Sequence, residues 1–413
     1  MDFSQDLITT IQDLGSIDHK KVNRRLEDLA MERPATTIIP MLYSELQSGS
    51  LINIVEQLNK CGYISSVVVA LTAKDEEEYK ETVDFFKRLT IPHIVVWCES
   101  PNIQEVFYSL EDKGIDLSGY AGKGRAVWTA IGIASLESYA ILLHDADIES
   151  YTADIPSRLL LPILDPEMDF FFTKGYYARI SDSKMYGRIT RLFVYPFLGA
   201  LTTITDDKSA YLEYLRAFKY PLSGEFAMTT DLAMNIRIPT DWGLEIGVLS
   251  EIFRNSAMKR ICQVDLGVYS HRHRELGDDK TQGLLKTVYD IVKTTMRTLT
   301  ENDGVQITEA SLLSLQVLYR KLAQDDIRKY NAVSIANDLE YHRYEEESLV
   351  EAFANTIHEC GIEYLLDPTA EQIPDWLRMI SAMSDLRGKM IEAIPMKSRL
   401  QEKLMDAALM DLG

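Results

Sequence analysis

Two carboxylates one residue apart close the run Tyr139-Ala140-Ile141-Leu142-Leu143-His144-Asp145-Ala146-Asp147, and the chain has no other Asp-x-Asp. The apolar part predicts a buried strand whose last residues emerge at the carboxyl edge of a sheet, where open α/β sheets bind ligands. On an extended chain, Asp at i and i+2 point to one side. Both can then face one divalent cation, or one cation and the ligand it holds. Read alone, the triplet also fits an acidic turn after a strand.

Other stretches carry compatible chemistry. Gly119-Tyr120-Ala121-Gly122-Lys123-Gly124-Arg125 is a glycine-rich turn opening a helix, which offers backbone amides to phosphate with Lys123 and Arg125 beside them. It is not a P-loop, because Leu117 stands at the first glycine position and Gly124 follows the lysine. Gly187-Arg188-Ile189-Thr190-Arg191 combines a guanidinium with a predicted helix start, a pattern suited to phosphate or carboxylate and equally to surface salt bridging. Tyr220-Pro221-Leu222-Ser223-Gly224-Glu225-Phe226-Ala227 places a single acid in a turn, and Asp241-Trp242-Gly243-Leu244-Glu245 places another at a helix start. His271 and His273, interleaved with Arg272 and Arg274, follow the last predicted strand and offer a metal ligand together with anion contacts.

The elements that must position these residues follow from periodicity. Apolar runs at 36–42, 65–71 and 93–98 alternate with helical stretches near 51–60 and 75–89, which predicts a parallel sheet covered on both faces. Pro40 is expected to end regular pairing of the first of these strands. No G-x-G-x-x-G follows that strand, which disfavours a dehydrogenase-type dinucleotide fold. Further strands are predicted at 168–179 and 261–268, a helix at 126–138, and long amphipathic stretches from about 280 onward. The expected organisation is an N-terminal helical extension (1–33), a catalytic domain (34–278) and a helical C-terminal region (279–413). The Met- and Leu-bearing stripe of 389–411 reads as core or subunit interface, and a homodimer is expected.

Composition sets limits on partners. A formal net charge of −20 without an offsetting basic tract argues against nucleic-acid binding. Four scattered cysteines and no run approaching a membrane span lead to the expectation of a cytoplasmic protein without disulfides or membrane attachment. An anionic ligand must then be met by local cations or a metal. Together these features suit a metal-dependent transferase acting on a nucleoside-diphosphate sugar.

The segments Pro40-Met41-Leu42-Tyr43-Ser44-Glu45, Gly122-Lys123-Gly124, Asp145-Ala146-Asp147, Gly187-Arg188-Ile189-Thr190, Pro221 to Ala227, Trp242 to Gly247 and Gly267 to Arg272 occur in the order found in retaining glycosyltransferases of GT-A fold. Between about 36 and 275 the chain resembles the glucosyl-3-phosphoglycerate synthases and their mannosyl-transferring relatives. That resemblance implies a Rossmann-like α/β fold and transfer of glucose from a nucleoside-diphosphate glucose such as UDP-glucose to the 2-hydroxyl of 3-phosphoglycerate. It implies that Pro40, Leu42, Glu45 and Lys123 hold the nucleotide, that Asp145 contacts the donor sugar or ribose, and that Asp147 and His271 ligate Mg²⁺ or Mn²⁺. Gly187, Arg188, Thr190 and His273 would receive the acceptor, and Glu225 and Glu245 would lie near the sugar and acceptor hydroxyl. Tyr43 and His273 stand where the family has Asn, and Leu71-Thr72-Ala73-Lys74 replaces an Asp-Ser-Gly-Ser type of loop. Alternatives are mannosyl transfer from GDP-mannose to 3-phosphoglycerate or glycerate, and a non-catalytic nucleotide-sugar binder.

Overall fold

Period-two alternation inside unbroken apolar runs determines how the sheet is covered. Ile38, Val68, Ile94 and Ile141 point into one core, while Ile39, Val67, Val95 and Leu142 point into another on the opposite face. The computed structural model describes residues 4–15, 17–117, 119–120, 122–240, 243–270, 283–368, 372–396 and 398–411. Its strands are β1 (Thr9–Ile11), β2 (Ala35–Leu42), β3 (Ile64–Thr72), β4 (His93–Trp97), β5 (Ala140–Leu143), β6 (Phe172–Ser181), β7 (Lys184–Met185), β8 (Phe226–Thr229), β9 (Ile238–Pro239), β10 (Ile261–Tyr269) and β11 (Gln372–Ile373).

Nine strands form one sheet in the order β1-β10-β6-β8-β5-β2-β3-β4, with β7 paired to β6. Pairing is parallel from β5 through β2 and β3 to β4, and again from β6 through β10 to β1. Only β8 runs against both of its neighbours in the main sheet. Its start therefore lies at the same edge as the ends of β5 and β6, which brings Glu225 to the Asp145 edge. The expected α/β architecture, a mostly parallel sheet with flanking helices and a helical C-terminal region, is what the structure contains.

Several local expectations are corrected. The N-terminal segment is not helical throughout. Thr9–Ile11 pairs with Cys262–Val264 at the sheet edge, and among the segment's described residues only His19–Ala30 forms a helix. The β-branched Thr-Thr-Ile run suits a strand, and the Gln263 side chain holds it further by donating to Thr10 Oγ1 at 2.9 Å. Pro40 does not end β2, which stays paired to β3 as far as Leu42. The carbonyl of Ile38 accepts from His144 on the β5 side, and Pro40, two residues on, turns its missing N–H to that same side, where β5 pairing has already ended at Leu143. The helix expected from Ala126 begins at Lys123.

Past residue 283, helices Gly283–Asp303, Glu309–Ala336 and Arg343–Leu366 are followed by shorter ones at Trp376–Ala382, Leu386–Glu392 and Arg399–Met410. Their apolar faces, among them Val288, Tyr319, Phe353 and Trp376, join the core that includes Ile38 and Ile141. Trp376 stacks on Trp128 at 4.1 Å between ring centroids, and its indole N–H donates to the Trp128 carbonyl at 2.9 Å. Beside it, β11 pairs with β9, a short strand that the helical reading of this region did not anticipate. No described helix is long and apolar enough to cross a membrane.

Candidate active site

β5 delivers the two carboxylates. Its apolar run ends at Leu143, and His144 is fully buried with Nδ1 3.0 Å from the Asp145 carbonyl. Burial lowers the imidazole to about 4, so the ring is neutral near pH 7 and serves as packing beneath the loop. Ala146 and Ile148 are buried, so the residues before and between them turn outward, and Asp145 and Asp147 both line an open cleft of about 160 Å³.

Lys123 meets them from the neighbouring helix start. Gly122 has φ +94°, which L side chains rarely adopt, and a Cβ on Gly124 would lie 1.9 Å from the Pro239 carbonyl oxygen. Both glycines are thus required to bring the first turn of Lys123–Ala134 against β9. The Lys123 ammonium donates to Asp145 Oδ1 at 2.7 Å and to Glu245 Oε1 at 3.1 Å. Burial opposes its charge, but Asp145 and Glu245 outweigh that and hold it above the ordinary lysine value. Glu245 sits in the first turn of the helix Leu244–Asn255, where the helix dipole favours a carboxylate.

Glu225 approaches from the opposite direction. It precedes β8, is fully buried, and accepts a hydrogen bond on Oε2 from Ser223 Oγ at 2.9 Å. Between them Gly224 packs on Asp145 so closely that an added Cβ would lie 2.4 Å from Oδ2. Lys174 supports this turn from below: it is 1% exposed and donates to the Ser223 carbonyl at 2.7 Å. Burial lowers its ammonium to about 8, against the attraction of Glu245 and Glu225.

The far wall of the cleft is cationic and aromatic. Gly187, Arg188, Ile189 and Thr190 line it together with Tyr186, Arg179, Tyr177 and Tyr220. Thr190 lies at the helix start expected there, which takes π form over Thr190–Val194. Tyr177 stacks on Tyr269 at 4.0 Å and lies 4.6 Å from Tyr220. Burial opposes the Arg179 charge, but Tyr220, Tyr177 and Asp147 hold its guanidinium above the ordinary value. Arg179 was not singled out from the sequence. Its signal there was its place two residues after Tyr177 on a strand, and so on the same face.

The sequence-predicted residues Lys123, Asp145, Asp147, Gly187, Arg188, Thr190 and Glu245 therefore share one cleft. Pro40 and Leu42 end β2, beside β5, and Glu45 follows in the 3₁₀ turn Tyr43–Gln47. They form a shelf at the same sheet edge rather than part of the cleft lining. Arg125 is corrected: it is buried, faces Glu99 at 3.8 Å and Gln104 at 3.4 Å, and does not reach the cleft. His271, His273 and Trp242 lie outside the described residues. Ser270, the last described residue of this stretch, is held by the loop that follows Asp147. The Ser270 carbonyl accepts from Glu149 N at 3.0 Å, and Ser270 N donates to Ser150 Oγ at 3.0 Å.

A mostly parallel sheet with two spaced carboxylates and a cationic helix start at its carboxyl edge is the framework of a GT-A glycosyltransferase. No protein-family model matches the chain. It is 50% identical over 395 residues to a glucosyl-3-phosphoglycerate synthase of Methanococcoides burtonii, covering 95% of this chain and 97% of that one. It is 36% identical over 396 residues to the enzyme of the same name from Persephonella marina, with the same coverage of 95% and 97%. Among solved structures, a glucosyl-3-phosphoglycerate synthase of Mycobacterium tuberculosis in complex with Mn²⁺, UDP and glucosyl-3-phosphoglycerate shares the fold. Its TM-score is 0.51 at 21% identity, covering 72% of this chain and 88% of that one. The chain belongs to the glucosyl-3-phosphoglycerate synthase family.

Proposed function

We propose that the protein transfers glucose, with retention of anomeric configuration, from a nucleoside-diphosphate glucose to the 2-hydroxyl of 3-phosphoglycerate. The observation that carries this reading is one cleft with two chemistries: the Asp145, Asp147, Lys123 and Glu245 cluster on one wall, and Arg179, Arg188 and Thr190 on the other. The names of the full-length relatives and the ligands in the M. tuberculosis complex support the same assignment.

A divalent cation, Mg²⁺ or Mn²⁺, fits this cleft. Among the described residues no three His, Cys, Asp or Glu side chains converge on a metal position, so the protein would supply a partial shell. Asp147 offers hard oxygen, His271 would be the second ligand, and diphosphate oxygens suit the remaining positions. The bound ion would neutralise negative charge developing on the leaving diphosphate.

The chain's own residues do the rest. Pro40, Leu42 and Glu45 would hold the nucleoside on the β2 shelf. Lys123 fixes the Asp145 carboxylate toward the donor sugar and adds positive charge near the phosphates. Arg188, Thr190 and the Gly187 backbone would take the acceptor phosphate, with His273 beside them, while Arg179 would take the carboxylate. Glu225 is sealed behind Gly224 and linked to Ser223, which favours a supporting role over attack on the sugar. Without a displaced nucleophile, retention is best served by front-face substitution, in which orientation and electrostatic stabilisation supply the rate.

The test is a product screen by mass spectrometry of purified protein with UDP-glucose, GDP-glucose and GDP-mannose against 3-phosphoglycerate and glycerate, with and without chelator. Glucosyl-3-phosphoglycerate formed only without chelator is the expected result. Mannosylated product alone, or ligand-induced stabilisation with no product, would overturn it.

A further inference from the structure

The acceptor wall is built from a short segment, Met185 to Arg191, whose shape depends on residues far along the chain. Gly187 has φ +71°, and Thr190 begins a π-helix, both uncommon backbone conformations. At its end lies Arg191, 6% exposed and not part of the cleft lining. Its backbone N–H donates to the Gly187 carbonyl at 3.0 Å. Its side chain reaches back to the other end of the segment, with Nε donating to the Tyr186 carbonyl at 2.9 Å and Nη2 to the Met185 carbonyl at 3.3 Å. The segment is thus wrapped around one guanidinium.

That guanidinium is anchored in turn by the C-terminal region. Glu346, in the helix Arg343–Leu366, accepts from Nη2 on Oε1 at 2.6 Å and from Nη1 on Oε2 at 3.1 Å. The pair is bidentate and buried, and the Tyr330 ring lies 4.9 Å from the guanidinium carbon. Two further links run the same way. Tyr319 donates its hydroxyl to the Leu192 carbonyl, inside the π-helix, at 2.8 Å. Glu340 N donates to the Ser183 carbonyl at 2.8 Å, on the turn that connects β6 to β7. A π-helix leaves carbonyls that an α-helix would use, and one of them is taken up here by a residue more than a hundred positions later.

We propose that Arg191 and Glu346 are positioning residues for the acceptor, through which the C-terminal helices shape the Gly187–Thr190 anion site. The proposal rests on the reading that this site receives 3-phosphoglycerate. Removing either partner leaves the other's charge buried and loosens the turn carrying Arg188, while Lys123 and Asp145, elsewhere in the cleft, keep their mutual hydrogen bond.

The experiment is calorimetric titration of Glu346→Gln, Arg191→Met and Arg188→Ala with 3-phosphoglycerate. Each variant is titrated separately with UDP or GDP plus Mg²⁺, whichever the wild type binds, and steady-state KM is measured for both substrates. Glu346→Gln, which keeps the shape and one acceptor oxygen, is expected to weaken 3-phosphoglycerate binding and raise its KM about tenfold, with nucleotide binding and donor KM within twofold. Arg191→Met is expected to lose more. If that variant does not fold, the near-isosteric Glu346→Gln still decides the question. Acceptor binding within twofold of wild type in Glu346→Gln, or equal loss of nucleotide and acceptor binding, would overturn the positioning role. If Arg188→Ala binds 3-phosphoglycerate like the wild type, the acceptor-site reading itself fails, an outcome distinct from the first.

Discussion

Replacing Gly224 with alanine tests how tightly the sugar-facing carboxylate must be placed. An ideal Cβ at this position lies 2.4 Å from Asp145 Oδ2, 2.8 Å from Cγ and 3.0 Å from Oδ1. Ordinary non-bonded contact needs about 3.5 Å, so the carboxylate must withdraw by about 1 Å. The Lys123 to Asp145 hydrogen bond of 2.7 Å cannot survive that displacement unchanged. Gly224 does not have a positive φ, so the alanine backbone itself is unstrained. Asp145 is 28% exposed and has room to turn outward, so the stability cost is about 1 kcal/mol, that of one distorted rotamer. The catalytic cost is larger, because a displacement of about 1 Å of a positioning group lowers turnover about 10²-fold, or about 2.7 kcal/mol of barrier. The assay is kcat and KM for both substrates alongside a thermal melt, repeated in an Asp145→Ala background. In that background Gly224→Ala should cost nothing further, since its target is gone. Wild-type kcat in the single variant, or an undiminished 10²-fold loss in the double variant, would refute the reasoning.

Three other outcomes are expected. Asp147→Ala should reduce turnover by about 10³ or more while circular dichroism and melting stay near wild type; turnover that is unchanged, and still lost to chelator, would remove Asp147 from the metal site. Lys174 is depressed from 10.5 to about 8, so below pH 8 both folded and unfolded chains carry its proton and the burial penalty is fully present. Between pH 8 and 10.5 the folded chain releases that proton first and stability rises, so wild type should gain up to about 3 kcal/mol on Lys174→Met in urea titrations over that window; parallel pH profiles would contradict it. Trp376→Ala removes a nearly fully buried ring stacked on Trp128 and should cost about 3–5 kcal/mol in denaturant unfolding, and a loss below about 1 kcal/mol would mean that the C-terminal segment is not fastened there.

What could be read from the sequence was what repeats locally. β2, β3, β4 and β5 are continuous apolar runs, and their carboxyl ends carry Pro40, Leu42, Asp145 and Asp147 as the pattern implies. β8 escaped because it has four residues and follows a Pro-Leu-Ser-Gly turn, with its pairing to β5 and β6 set by tertiary context. β1 escaped for the same reason, since three residues gain strand character only from a partner some 250 positions away. Lys123 and Arg125 are close in sequence, yet two steps along a helix separate side chains by about 200°. One faces the cleft and the other the Glu99 side of the core. Arg179 and Arg191 are ordinary arginines until the fold shows what lies around them.

The pairing of Thr9–Ile11 with Cys262–Val264 has a consequence for how the protein is made. On a ribosome the first of these strands leaves the exit tunnel long before its partner exists. At about 5–20 residues per second, the gap is on the order of 10–50 s. Throughout that time the segment must do without this partner, so the sheet closes at this margin only after Val264 has emerged.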